Sequence, residues 1–337
     1  MKLGAYTACL HDLTLAETLK LLRGMGLTSI EVNAGGFIPA PHIPVDALLA
    51  SDRARREYLA QIADSGLELT GLNVNGNPLH PDVEVGSKHT RDLHAAIELA
   101  GLLGVRQVVT MSGQPGAHAG GLAPAWIVEP WHSAATEVLD YQWDQVVVPF
   151  WRDIEARARL ADVRVCIEMH PHNVVYNPAT LLRLIERVDS TQIGAEMDPS
   201  HLFWQGIEPI VAIEHLGDRV FHAAAKDVRI NEANCRLNGV LDDRFRTPGP
   251  GEPAIGLGGR YVANLFPENP SWEFVAIGKG HDVAYWTDFL AALRKVNPDI
   301  AVNIEHEDVE LGQVEGLSFA AEKLLAAAES LPGLVAS

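Results

Sequence analysis

The chain has 337 residues, 47% hydrophobic and 21% charged, which is ordinary globular composition and long enough for a large core. Acidic residues number 44 against 26 basic, a formal net charge of -18 that repels nucleic acid and anionic membrane unless a basic stripe intervenes. The densest basic run, Arg53-Ala54-Arg55-Arg56, reads as the solvated face of a helix, so no nucleic-acid partner is expected.

Short apolar strands alternate with longer amphipathic segments from end to end. Lys2–Ala8 is the first strand, followed by a helix over Leu13–Met25 with Leu15, Leu19, Leu22 and Met25 at helical spacing and Thr14 or Asp12 as its cap. Ser29–Asn33 is the second strand and Ser51–Ser65 the second helix, closed by Gly66. Leu67–Val74 is the third strand, Gly86–Gly104 holds the third helix and Gln107–Met111 is the fourth strand. A Gly- and Pro-rich excursion, Ser112–Trp131, leads into a helical region over Ala134–Leu160 that Pro149 is expected to kink or break. Arg164–Met169, Gln192–Met197 and Val220–Ala225 are the next strands, separated by helices at Pro178–Val188 and Pro209–Leu216. Val228–Gly280 reads as the largest irregular region, before a helix at Asp282–Val296, the eighth strand Ile300–Glu305 and a last helix Val314–Leu331.

Eight strand-then-helix units predict an α/β fold, a (β/α)8 TIM barrel, as one domain over 1–337 with long insertions at about 112–131 and 228–280 over its C-terminal face. A doubly wound sheet is the competing architecture, but no GxGxxG follows the first strand and the polar residues end many strands rather than one crevice. The three cysteines, Cys9, Cys166 and Cys235, are far apart and fit neither a disulfide framework nor a zinc-thiolate site. No run of about 18 apolar residues predicts a membrane span. The opening MKLGAYTACLHDLT turns polar too soon for a signal peptide, so a cytoplasmic location is expected.

In a barrel, the residues at strand C-termini face the site. Here they are Glu31 and Asn33, Asn73 and Asn75, Glu168 and His170, Asp198 and His201, His222 with Lys226 and Asp227, and Glu305, His306 and Glu307. Carboxylates close the fifth, sixth and eighth apolar runs. Three buried carboxylates in one pocket repel one another unless protonated or neutralised, and one divalent cation is the simplest answer. An oxygen-rich ligand set favours Mn²⁺ or Mg²⁺ over Zn²⁺, with Co²⁺ as a further candidate. His172, His281 and His306 read as loop or supporting residues.

The motifs IEMHP, MDPSHLFWQG, FH-x-x-x-KD and NIEHED resemble the sugar phosphate isomerase/epimerase family with the xylose isomerase-like barrel. The NPLHPD loop (Asn77–Asp82), WIVEPW and Tyr176-Asn177-Pro178 add to a likeness that spans nearly the whole chain. The resemblance implies a metal, Mn²⁺ or similar, held by Glu168, Asp198, a residue of the seventh strand and Glu305. That strand departs from the pattern: where H-x-H-A-K-D is usual, this chain reads His222-Ala223-Ala224-Ala225-Lys226-Asp227, with Ala224 at the ligand position. Three readings follow: water fills the gap and metal binds more weakly, His222 substitutes, or the histidine was replaced in this chain to trap a substrate.

The implied mechanism abstracts a proton beside a sugar carbonyl. His170 is the expected base, with the Glu168 and Glu305 carboxylates as alternatives. His201 and Lys226 would hold substrate hydroxyls, with Asp227 as a further orienting group. Trp126, Trp131, Phe203 and Trp204 offer flat apolar surface, and Tyr176 joins the substrate-binding set. The subgroup with EMHP, DPSHLFWQG and IEHED resembles the catalytic subunits of C-glycoside deglycosidases, which implies elimination of an aglycone from a 3-oxo-glycoside and a small second (beta) subunit. The alternative is isomerisation or epimerisation of a sugar. An oligomer is expected. An abasic-site endonuclease of the same superfamily would need a basic groove that the charge argues against, and a non-catalytic barrel is supported only by Ala224.

Overall fold

A computed structural model describes residues 1–331, so the final stretch of the expected 1–337 domain lies outside the described residues. Eight parallel strands close a barrel in chain order. They are β1 (Lys2–Tyr6), β2 (Ser29–Asn33), β3 (Glu68–Asn73), β4 (Gln107–Met111), β5 (Arg164–Glu168), β6 (Ile193–Met197), β7 (Val220–Ala225) and β12 (Ala301–Ile304), with β12 paired to both β7 and β1. Helices α1 (Leu15–Gly24), α2 (Val45–Ala50), α3 (Asp52–Asp64), α4 (Val83–Leu103), α5 (Ser133–Tyr141), α6 (Val148–Ala161), α7 (Pro178–Val188), α8 (Ser200–Phe203) and α9 (Pro209–Leu216) connect the strands as far as β7. This is the (β/α)8 architecture. Among the described residues no helix is long and apolar enough to cross a membrane.

By proximity along and across the chain the residues form two compact units. The first comprises Met1–Glu31, Gln61–Leu69 and the chain from Met197 onward. Its β1 needs glycine at position 4, because a Cβ there would lie 2.3 Å from the Ser29 carbonyl and 2.4 Å from Asn303 Oδ1. Helix α1 is started by Thr14, whose hydroxyl accepts from the Glu17 N–H while Glu17 reaches back to the Thr14 N–H. After β7 the chain is more ordered than its composition indicates. β8 (Asp227–Ile230) pairs antiparallel with β11 (Trp272–Val275), placing Phe274 opposite Val228. α10 (Glu232–Asn238) and the short pair β9 (Gly256–Gly258) and β10 (Tyr261–Val262) lie between them, and α11 (Val283–Val296) and α12 (Gln313–Glu329) complete the unit. The region over 228–280, expected to be irregular, thus carries two short strand pairs and one helix, and the rest of it lies outside helix and strand.

The second unit comprises Val32–Ala60 and Thr70–Glu196. The parallel ladder β3-β4-β5-β6 sets Asn73 opposite Val109, Met111 opposite Glu168 and Glu168 opposite Glu196. Asn177 caps α7 through the Thr180 N–H, with Pro178 at its first position, where a missing N–H costs nothing. Pro149 lies within a longer helical region. The helical region does not break there: a π-helical turn over Gln142–Val147 joins α5 to α6, and Pro149 falls in the first turn of α6. Residues 112–132 carry no helix or strand, as their Gly and Pro content predicts.

Candidate active site

Strand β5 is apolar and buried through Val165, Cys166 and Ile167, and it ends on Glu168, which is 1% exposed. A carboxylate held there needs donors, and Asn75 Nδ2 donates to Glu168 Oε2 at 2.5 Å from the loop after β3. Two residues on, His170 lies half-buried with its Nδ1 2.5 Å from the Pro171 carbonyl. That oxygen can only accept, so Nδ1 carries a proton and Nε2 is the basic nitrogen of the neutral ring. The His170 N–H donates to Val175 O, the Val175 N–H donates to Ser112 Oγ and the Gly113 N–H donates to Asn173 Oδ1, so the loops after β4 and β5 brace one another.

This bracing also places the aromatic residues. Trp126 Nε1 donates to Asn173 O at 3.0 Å, and its ring lies 5.3 Å from Tyr176, edge to face, and 4.7 Å from His172. His172 takes a left-handed backbone with φ 64°, and burial, with the nearby His170, pushes its imidazole below the ordinary value. Trp126 and Tyr176 are thus brought together. Trp131 is not: it is 90% exposed, and its ring contact among the described residues is its chain neighbour His132.

In the other unit, β6 leads to Asp198, 1% exposed, whose Oδ1 accepts the Ser200 N–H at 2.8 Å as α8 begins. One turn later His201 is buried with Nε2 3.7 Å from Asp198 Oδ2, and its ring meets Phe274 edge to face at 5.5 Å. Glu305 follows β12, its N–H bonded to Ala225 O, and receives Lys226 Nζ at 2.9 Å. Lys226 also reaches Glu307 Oε1 at 2.7 Å and lies 4.4 Å over the Phe274 ring.

His222 and Ala224 both face inward on β7, with Ala224 opposite Asn303. His222, fully buried, places Nε2 2.6 Å from Glu31 Oε2; Asn303 Nδ2 donates to the same oxygen at 3.2 Å. As a metal ligand it would have to give up Glu31 or turn its Nδ1 outward. Asp227, expected to orient a hydroxyl, instead gathers the loop before α11. It accepts from the N–H groups of Val228, Gly278, Gly280 and His281 and from His281 Nδ1 at 2.7 Å. Phe203 stacks on His281 at 3.8 Å and Trp204 on Trp272 at 4.8 Å, so one face of each lies on another ring. His306 packs on α12, where a Cβ at Gly316 would lie 2.0 Å from its ring.

Among the described residues two sets of side chains have the composition of a metal site: Glu168, His170 and His201, and Glu31, Glu196 and His222. Carboxylates together with imidazoles are the donor chemistry of a divalent cation. Glu168 and Asp198 are carboxylates buried almost completely, with imidazoles at hand, and Glu305 already attracts a cationic group. Sequence reasoning missed Asn75 as the partner of Glu168, the Glu31–His222 pair and Phe274. Asn75 was visible as a strand-end amide; the other two depend on pairings between distant segments.

The chain is 33% identical over 327 residues to the uncharacterized protein YfiH of Bacillus subtilis (strain 168), covering 96% of this chain and 98% of that one. Its fold matches the probable 3-DHS dehydratase AsbF of Bacillus anthracis, with a TM-score of 0.63 and 16% identity over 96% of this chain and 99% of that one. It also matches the IOLI protein solved with a bound zinc atom, with a TM-score of 0.61 and 16% identity over 99% and 100% of the two chains. The model of the Xylose isomerase-like TIM barrel matches residues 19–326, and the chain belongs to that family.

Proposed function

We propose that this protein is a divalent-metal-dependent enzyme that removes the proton beside a sugar carbonyl. The observation that carries the reading is that two strands each end in a buried carboxylate with a histidine close behind it: Glu168 with the half-buried His170 after β5, and Asp198 with the buried His201 after β6. Glu168, Asp198 and Glu305 would hold the ion, with Mn²⁺ taken first among Mn²⁺, Mg²⁺, Co²⁺ and Zn²⁺; donors that are mainly oxygens favour Mn²⁺ or Mg²⁺ over Zn²⁺. A bound ion supplies Lewis-acid stabilisation of negative charge on the carbonyl oxygen, a contribution of several kcal/mol. His170 takes the proton on Nε2, for which its Nδ1–H bond to Pro171 sets the tautomer. His201 and Lys226 orient substrate oxygens. Trp126 and Tyr176 give the sugar ring an apolar face.

The carbanion equivalent is then reprotonated on the opposite face of the same carbon, which is epimerisation, or at the neighbouring carbon, which is isomerisation, or it expels a β-substituent, which is elimination. Elimination from a 3-oxo-glycoside is favoured by one observation: Phe274, at the edge of an aromatic cluster with Trp272, Phe266 and Trp204, touches both His201 and Lys226. An aromatic aglycone suits such a surface. The fold is shared with AsbF, a probable 3-DHS dehydratase, which is in keeping with elimination.

The test sets this chain beside an Ala224→His version, both with Mn²⁺, against 3-oxo C- and O-glycosides and a panel of ketoses. Release of free aglycone supports elimination, and ketose interconversion alone supports isomerisation. A histidine at position 224 is expected to tighten metal binding and raise turnover. If neither chain binds metal above background or turns over any of these sugars, the reading fails.

A further inference from the structure

Phe274 occupies a position that nothing in the local sequence marks. It lies on β11, opposite the buried Val228 of β8, in the insertion that follows β7. From behind it is held by Trp272 at 5.2 Å and Phe266 at 6.4 Å, both edge to face, and Trp272 is itself stacked on Trp204 within 3° of parallel. It also meets two polar groups: the Lys226 ammonium 4.4 Å from its centroid and the His201 imidazole at 5.5 Å and 81°. Lys226 is almost completely buried, and its ammonium is divided between Glu305 and Glu307. A buried ammonium on a four-carbon stem has many rotamers and needs every contact that fixes one of them. The face of an aromatic ring supplies such a contact through its quadrupole without adding charge.

We propose that Phe274 is a positioning residue, the point through which the 228–280 insertion fixes Lys226 and His201 at the site. The aromatic cluster holds the ring, and the ring holds the two polar groups in register with each other. The proposal rests on the reading that Lys226 and His201 meet the substrate. It adds that the insertion sets their geometry rather than merely covering the mouth.

The experiment uses the full chain with Mn²⁺ and compares Phe274→Leu, Phe274→Met and Phe274→Tyr. The first readout is kinetic, on whichever 3-oxo-glycoside or ketose the unaltered chain turns over. The second is the ε-methylene resonance of Lys226 in protein labelled with ¹³Cε-lysine, assigned with Lys226→Arg. In the unaltered chain the ring should shift this resonance upfield. The expected result is that Leu and Met abolish the upfield shift and lower kcat/KM by about 5- to 30-fold, chiefly through KM, while Tyr retains both. The urea midpoint identifies any variant that fails to fold, and Leu and Met serve as independent tests of one another. An unmoved Lys226 resonance in a folded Leu or Met variant overturns the proposal. So does a moved resonance with unchanged kinetics. If the unaltered chain turns over none of the sugars, the proposed function fails, and the resonance alone then decides whether Phe274 positions Lys226.

Discussion

Asn75 Nδ2 donates to Glu168 Oε2 across 2.5 Å, tying the loop after β3 to the last residue of β5. The amide is neutral and donates, so it can fix the carboxylate's orientation without competing for its charge. Supporting hydrogen bonds of this kind are worth about 10- to 100-fold in metal affinity or activity. Asn75→Ala should weaken Mn²⁺ binding by that factor, measured by calorimetric titration, while leaving the urea midpoint nearly unchanged because Asn75 is only half-buried. Asn75→Asp should do more damage, since it sets a second carboxylate against Glu168. Equal Mn²⁺ affinity in all three chains would show that Glu168 does not bind the ion through this arrangement.

The barrel was legible in the sequence because parallel strands covered on both faces are continuous apolar runs. Gln107–Met111, Pro178–Val188 and Val220–Ala225 have the same limits in the sequence reading and in the fold. What failed to be legible depends on partners distant in the chain. Asp227 looks like any strand-end carboxylate until Gly278 and Gly280 fold back to present their N–H groups to it. Glycine is required at 280 because a Cβ would lie 2.0 Å from the Val228 carbonyl. β8 and β11 pair across the long insertion, so no local periodicity reveals either strand. Trp126 and Trp131 are the same residue type in one loop, and what distinguishes them lies in another segment: the Asn173 carbonyl and the Tyr176 and His172 rings, which meet the first.

Acid should loosen the fold in a window set by its neutral imidazoles. Burial, aided by the charge of Lys88, holds His89 below its ordinary value of 6.5, and its Nδ1 accepts the Asn77 N–H while its ring meets Phe37. Burial likewise lowers His80, His94, His172 and His306. In the unfolded chain each ring takes a proton near pH 6.5, before the folded ring does. The unfolded state therefore binds more protons just below that pH. Stability present above about pH 6.5 is lost as pH falls toward the folded values, at no more than about 1.4 kcal/mol per pH unit for each imidazole. Urea midpoints should be flat from pH 8 to 7 and decline toward pH 5.5. His89→Gln keeps an acceptor for Asn77 and should give a shallower decline; an unchanged slope would remove His89 from the account.

The Glu31–His222 pair decides how the Ala224 position is to be understood. Both side chains are buried inside the barrel 2.6 Å apart, with Asn303 donating to the carboxylate. A buried hydrogen bond contributes only about 0.5–1.5 kcal/mol net, but removing one partner leaves the other buried and unsatisfied, at about 1–3 kcal/mol and more for a charged group. His222→Leu should therefore destabilise the fold strongly by urea unfolding, and Glu31→Leu similarly. The double variant should recover much of the loss, giving a coupling energy of about 0.5–3 kcal/mol in a double-mutant cycle. Additive losses would mean the two residues do not act as a pair. The same three chains test the metal. If His222 is committed to Glu31, the double variant should bind Mn²⁺ as tightly as the unaltered chain, because the strand-end carboxylates remain. A double variant that folds but loses Mn²⁺ would instead make His222 the ligand that compensates for Ala224.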